Sequence, residues 1–244
     1  MGPRIRLDQL LVQRGLAESR EKARAMIMAG IVQVDGARVD KSGRFVPAEA
    51  SISLKKTHPP YVSRGGRKLE AALRYFPVDV DDRVLLDVGA STGGFTDCLL
   101  KHGARRVIAV DVGYGQMAWK LRQDPRVEVL ERTNARHLRP EDLDMPIHGA
   151  VIDVSFISLG LIVPPVSRLL IHRAFIIALI KPQFEVGKGK VGKGGVVRDP
   201  RLQQEVIDRL AALFQDLGWA VQGHIQSPLL GPKGNCEFLM YLTR

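Results

Sequence analysis

Apolar positions near the start of the chain recur with helical period. Leu7, Leu10, Leu11 and Arg14 fall at i, i+3, i+4 and i+7, and Gly15 closes the stretch, which predicts an amphipathic helix over Arg6–Gly15. A second stretch opens on Ser19 as a cap, places Ala23, Met26 and Ile27 on one face, and ends at Gly30. Ile31–Val34 then alternates into Asp35-Gly36, a tight-turn pair, with Ala37, Arg38 and Val39 beyond it, so a hairpin follows the two helices. These elements form one small α+β module.

From residue 66 onward the pattern changes. Short apolar runs occur at Val84–Val88, Val107–Asp111, Val127–Leu130, Ala150–Val154, Phe175–Ile180 and Trp219–Ile225, and a seventh lies in Asn235–Leu242. Helical stretches separate most of them. Such alternation predicts an α/β domain with a mostly parallel, seven-stranded sheet covered on both faces. Between the two patterns, His58-Pro-Pro-Tyr-Val-Ser-Arg-Gly-Gly66 has linker composition. The expected organisation is a first domain over 1–58, a linker over 59–63 and a second domain over 64–244. No internal repeat is evident, and the one biased stretch is the Gly/Lys-rich segment 187–195.

Charge adds a partner to this picture. The 244 residues carry 36 Lys+Arg against 26 Asp+Glu, a net +10, which favours a polyanion. The surplus is uneven: residues 1–60 hold 11 basic and 6 acidic residues, so half of it sits in a quarter of the chain. Two cysteines and six scattered histidines offer neither a disulfide scaffold nor metal-ligand spacing, so no metal is expected. No apolar run approaches the roughly 20 residues of a membrane span. The first residues lack the apolar core of a secretory signal. A cytoplasmic protein is the expectation, with no membrane and no obligate protein partner.

The first strand of the second domain carries Asp87 and runs into Gly89-Ala90-Ser91-Thr92-Gly93-Gly94-Phe95 and a helix. Glycines there let a backbone approach a ligand, and the helix N-terminus supplies free N–H groups. The spacing is neither the dinucleotide fingerprint nor a P-loop. The next strand ends in Asp111, 22 positions after Gly89, where such folds hold a ribose diol, and the third is followed by Asn134. Asp87, Asp111 and Asn134 are therefore expected to face one crevice at the carboxyl ends of the sheet. The layout resembles the class I (Rossmann-like) S-adenosylmethionine-dependent methyltransferases, which implies methionine against Gly89–Phe95 and ribose on Asp111.

Four charged residues stand at or beside buried elements: Lys68, Asp153, Lys181 and Glu237. Burial of such groups is costly unless they pair, and two lysines and two carboxylates can pair with each other. In this order they resemble the tetrad of the FtsJ-like ribose 2′-O-methyltransferases. The stretch from about Arg4 to Leu54, with Arg-Leu-Asp8, Ser19-Arg-Glu-Lys-Ala23 and Gly30-Ile-Val-Gln-Val-Asp-Gly36, resembles the S4 RNA-binding domain. Together with Ser63-Arg-Gly-Gly-Arg-Lys68, Asp153-Val-Ser-Phe-Ile-Ser158 and Lys181-Pro-Gln-Phe-Glu185, the chain resembles the TlyA (haemolysin A) family over nearly its whole length.

The resemblance implies methyl transfer to a ribose 2′-hydroxyl of ribosomal RNA, free or within a subunit, at a cytidine of the large subunit and in some members of the small subunit too. Few residues flank the two domains, which suggests the large-subunit form. A 2′-hydroxyl must lose its proton as it attacks. Lys181 is the expected base, since burial and a second ammonium favour a neutral amine. Asp153, also beside the cofactor, would orient it, while Lys68 and Glu237 position the ribose. The S4 resemblance makes Arg4, Arg6, Arg20, Lys22 and Arg24 candidate phosphate contacts, extended by Arg64, Arg67 and the loop lysines Lys188, Lys190 and Lys193. The competing readings are an RNA-binding factor without catalysis and a membrane-lysing protein, the latter disfavoured by the absence of a strongly amphipathic apolar helix.

Overall fold

The computed structural model describes residues 3–28, 30–54, 60–187, 189–192 and 194–244. It divides into two compact units, Met1–Pro59 and Pro60–Arg244. Of the expected linker, residue 59 lies outside the described residues, as do Lys188 and Lys193 of the glycine-rich loop.

The first unit contains β1 (Arg4–Arg6), α1 (Leu7–Gln13), α2 (Arg20–Met28), β2 (Val32–Val34), β3 (Ala37–Arg38), β4 (Phe45–Pro47) and β5 (Ile52–Leu54). The apolar stripe of α1 does what its period predicts: Leu7, Leu10 and Leu11 are buried against Ala23 and Ile27 of α2 and Val32 of β2. Arg14, on the same stripe, donates to the carbonyls of Ala48 and Ala50 and so ties α1 to the β4–β5 connection. Asp35 and Gly36 both take positive φ, 50° and 78°, as a two-residue hairpin turn requires. Strands β1, β4 and β5 are three residues each, too short for alternation to reveal them.

The second unit contains α3 (Gly65–Tyr75), β6 (Val84–Val88), α4 (Gly94–Lys101), β7 (Arg106–Val110), α5 (Trp119–Arg122), β8 (Val127–Leu130), β9 (Ile147–Ile152), α6 (Val163–Ser167), β10 (Leu170–Ile180), α7 (Pro200–Asp216), β11 (Ala220–Gln226) and β12 (Phe238–Thr243). Its seven strands form one sheet in the order β11-β12-β10-β9-β6-β7-β8. All neighbours from β10 to β8 run parallel; β12 is antiparallel to both β10 and β11. Alternate residues of β6 enter different cores. Leu86 packs with Val206, Leu210 and Phe214 of α7, whereas Leu85 packs with Leu69 and Ala72 of α3 and Cys98 and Leu99 of α4. Two covered faces explain why these strands read as unbroken apolar runs.

Residues of the proline-rich connection belong to this unit's core. Tyr61 is buried beside α3 and α4, and the Val62 amide donates to Asp97 Oδ2 at 2.8 Å. Lys101 and Lys120 supply the countercharges to that buried carboxylate.

Candidate functional site

Strand register sets the site. Val88 of β6 pairs with Ile152 of β9, so Gly89 and Asp153, each one residue further, leave the sheet side by side. Gly89 has φ +84°, and a Cβ there would lie 2.5 Å from the Asp153 carbonyl oxygen, so only glycine allows this approach. On the other side, Ile180 of β10 pairs with Phe238 of β12. Lys181 follows the one and Glu237 precedes the other. Because β12 is antiparallel, its first residues share the rim where the parallel strands end. Glu237 therefore stands just before β12, not within it as its apolar context predicts.

At that rim the four charged residues form two pairs. Lys181 Nζ lies 2.6 Å from Asp153 Oδ1 and donates to Ser155 Oγ at 2.9 Å. The contact with Asp153 is an ion pair off the hydrogen-bond angle, which leaves Oδ1 without a hydrogen-bond partner. Lys68, carried in on α3, donates to Glu237 Oε2 at 2.5 Å, and both side chains are buried. Glu237 Oε1 has no hydrogen-bond partner.

A crevice runs along the carboxyl ends in two halves that meet at Gly89, Ser91 and Asp153. One half, about 490 Å³, is lined by Lys68, Gly89–Thr92, Gly94 and Phe95, with Ser63, Arg64 and the turn Gly231-Pro232-Lys233 opposite. The other, about 480 Å³, carries Asp111 and Asn134 among apolar walls from Val112, Ile157 and Ile162. Asp111 accepts from the amides of Ser91 (2.8 Å) and Gly113 (2.7 Å), so the acid also fixes the glycine-rich turn, where Ser91 is held at φ +48°. Asn134 caps a short 3₁₀ turn through Arg136 N. Turn-forming and crevice-lining roles coexist at both residues.

Asp87 departs from its expected place. Its side chain is fully buried behind the turn, accepts from Thr96 Oγ1 at 2.6 Å and lines neither half. Burial pushes its carboxyl up to about 7. Gly93 likewise packs away from the crevice, against Leu121 of α5 and Met117 just before it.

Several contributors went unread in the sequence. Glu185 is buried and accepts from Ser158 Oγ (2.8 Å), Leu159 N (2.7 Å) and Arg209 of α7 (3.3 Å), so it clamps the loop after Asp153 to the loop after Lys181. The phenyl rings of Phe156 and Phe184 join the same loops at 4.9 Å. Phe156 is 90% exposed at φ +63°, a conformation a bulky residue rarely adopts. Lys233, at φ +58°, stands on the lip beside Arg64, whose guanidinium donates to the Leu230 carbonyl. Only the positive φ of these two residues marks them, and sequence does not display it.

The basic candidates divide. Arg6, Arg20 and Arg24 converge on Asp8; Lys22 is paired with Glu18, and Arg4 donates to the Phe45 carbonyl. Arg64 and Arg67 are exposed at the start of α3, and Lys190 lies 3.7 Å from Glu205. Among the described residues no cluster of His, Cys, Asp and Glu can hold a metal ion, and no helix is long and apolar enough to cross a membrane.

A seven-stranded, mostly parallel sheet with its last strand reversed and a crevice at the carboxyl ends defines an S-adenosylmethionine-dependent methyltransferase fold. The FtsJ-like methyltransferase model matches residues 61–244 and the S4 domain model residues 5–52. The 16S/23S rRNA (cytidine-2′-O)-methyltransferase TlyA of Mycobacterium tuberculosis is 48% identical over 99% of this chain and 91% of its own. A Bacillus subtilis protein, YqxC, provisionally named an rRNA methyltransferase, is 52% identical over 97% of this chain and 85% of its own. The solved structure of a Streptococcus thermophilus protein, provisionally described as a hemolysin, matches at TM-score 0.77 and 44% identity over 100% of this chain and 90% of its own. An S-adenosylmethionine-dependent methyltransferase from Mesorhizobium loti shares the fold alone, at TM-score 0.51 and 15% identity over 73% of this chain and 98% of its own. The chain belongs to the TlyA family of FtsJ-like methyltransferases, with an S4 domain ahead of the catalytic one.

Proposed function

We propose that this protein methylates a ribose 2′-hydroxyl of ribosomal RNA, at a cytidine of the large subunit, with Lys181 as general base. The observation that carries the reading is the Asp153–Lys181 pair: Asp153 lines both halves of the crevice and holds Lys181, itself buried and in the wall of neither, at 2.6 Å. The names of the TlyA relatives support the substrate class.

The residues of the crevice fit S-adenosylmethionine. The half with Asp111, Asn134, Val112, Ile157 and Ile162 suits an adenosine, its diol on the carboxylate and its base between apolar walls. The half at Gly89–Thr92, Gly94 and Phe95 suits the methionine chain, beside the N-terminus of α4. The bound cofactor supplies an electrophilic methyl group on a sulfonium. Asp87 and Gly93 act from behind, by shaping the turn.

The acceptor hydroxyl is a weak nucleophile. Lys181, in its neutral form, takes the hydroxyl proton onto Nζ as the O–CH₃ bond forms and the S–CH₃ bond breaks. Asp153 and Ser155 hold Nζ from two sides and stabilise the ammonium that results. Lys68, in the wall of the first half, orients the ribose, and the buried Glu237 holds that lysine in place. Arg64, Arg67 and the lysines of the 188–193 loop track the flanking phosphates, and the first domain presents Arg4, Arg6, Arg20, Lys22 and Arg24 to structured RNA.

Transfer of labelled methyl to ribosomal RNA and to intact subunits tests this. The expected product resists alkaline hydrolysis at one cytidine and disappears in Lys181→Ala. Bound RNA and bound cofactor without transfer to any RNA would overturn the catalytic reading.

A further inference from the structure

The second residue of α1 is a carboxylate in an unusual position. Asp8 is fully buried, yet three arginines reach it from two elements: Arg6 at the end of β1, and Arg20 and Arg24 one turn apart on α2. Arg6 binds it in a fork, Nε to Oδ1 and Nη2 to Oδ2, both at 3.0 Å. Arg24 Nε meets Oδ2 at 3.1 Å and Arg20 Nη2 meets it at 3.3 Å. These contacts, that of Arg6 foremost, hold the Asp8 carboxyl well below the usual carboxylate range.

We propose that Asp8 is a positioning residue that fixes Arg6, Arg20 and Arg24 as one rigid phosphate-binding surface for an RNA backbone. The arrangement has three properties such a surface needs. Charge remains, because three guanidinium groups exceed one carboxylate by two. Donors remain, because Asp8 takes only four of their N–H groups while each guanidinium has five. Access remains, because the three side chains are 33%, 48% and 49% exposed while their common anchor is not exposed at all. A lone surface arginine must be ordered when it binds; here the ordering is built into the fold. Lys22, spent on Glu18 across one turn, has no share in this anchor.

The inference rests on the proposed RNA substrate, and its test turns on sign. Asp8→Asn in the full chain removes a negative charge from a basic face, so charge alone demands tighter RNA binding. Loss of positioning demands the reverse. We expect affinity for a large-subunit ribosomal RNA transcript to fall by about tenfold, with the slope of log K against log [KCl] shallower by roughly 2, the equivalent of two or three phosphate contacts. Binding equal to or tighter than wild type would overturn the proposal. If Asp8→Asn loses the first domain's melting transition, Arg24→Lys decides instead: charge is kept and the fork geometry lost, and undiminished binding would again overturn it. Asp8→Asn added to Arg20→Gln/Arg24→Gln should cost little more than the double variant alone, because the residues act as a unit. Wild type that binds the transcript no better than a DNA duplex of equal length would instead sink the RNA-substrate reading, and this inference with it.

Discussion

Lys68 and Glu237 are 169 positions apart in the chain and 2.5 Å apart in the fold, with both side chains buried. Removing one partner of such a pair leaves an uncompensated charge at a cost of about 3–5 kcal/mol. Glu237→Ala should therefore lower the melting temperature of the catalytic domain by on the order of 10 °C. The double variant Lys68→Met/Glu237→Leu should recover most of that stability and none of the methyl transfer. Calorimetry beside a transfer assay checks both; activity in the double variant would exclude a role for the pair in the reaction.

Asp87 gives the catalytic domain a pH signature. Its carboxyl titrates near 7 in the fold, above its value in an unfolded chain, because burial disfavours the anion. The neutral form is the one the fold prefers, so its contribution is fully present below about pH 4 and is lost as pH rises through 7, on the order of 4 kcal/mol between the limits. Asp87→Asn should flatten the wild-type decline in stability between about pH 4 and 7. Melting curves of the two proteins across that window provide the comparison, and parallel curves would contradict it.

Gly89→Ala should fail in two ways at once. The new Cβ meets the Asp153 carbonyl, and alanine resists φ +84°. A loss of about 2 kcal/mol or more in stability is expected, together with at least tenfold weaker S-adenosylmethionine binding by titration calorimetry. Unchanged affinity would show that the turn does not hold the cofactor.

The two thiols should differ sharply. Cys98 is buried in α4, and burial pushes its thiol up to about 12, whereas Cys236 is partly exposed. Since the thiolate is the reactive form, a disulfide reagent should modify one thiol in the native protein, at Cys236, and the second only in denaturant. Peptide mapping of the labelled protein identifies which.

The sheet is legible in the sequence because strands buried on both faces read as apolar runs, and a charge at the end of such a run is conspicuous, which is how Asp153 and Lys181 stand out. Glu237 was found but set inside its strand, since the reversal of β12 is not written in local hydrophobicity. Asp87 was assigned to the crevice because spacing cannot say to which side a strand-end carboxylate turns. Glu185 has no local signal: its partners Ser158 and Arg209 lie 27 and 24 positions away, and only the fold gathers them.

The reversed last strand also orders events in time. On a chain emerging from the ribosome, Gly89, Asp111, Asn134 and Asp153 appear long before Glu237 and before the turn Gly231-Pro232-Lys233, so the first half of the crevice is completed only near the end of synthesis. Lys68 must wait through 169 residues of synthesis for its partner. An incomplete nascent chain therefore carries Lys68 without its buried countercharge and a crevice without its last wall.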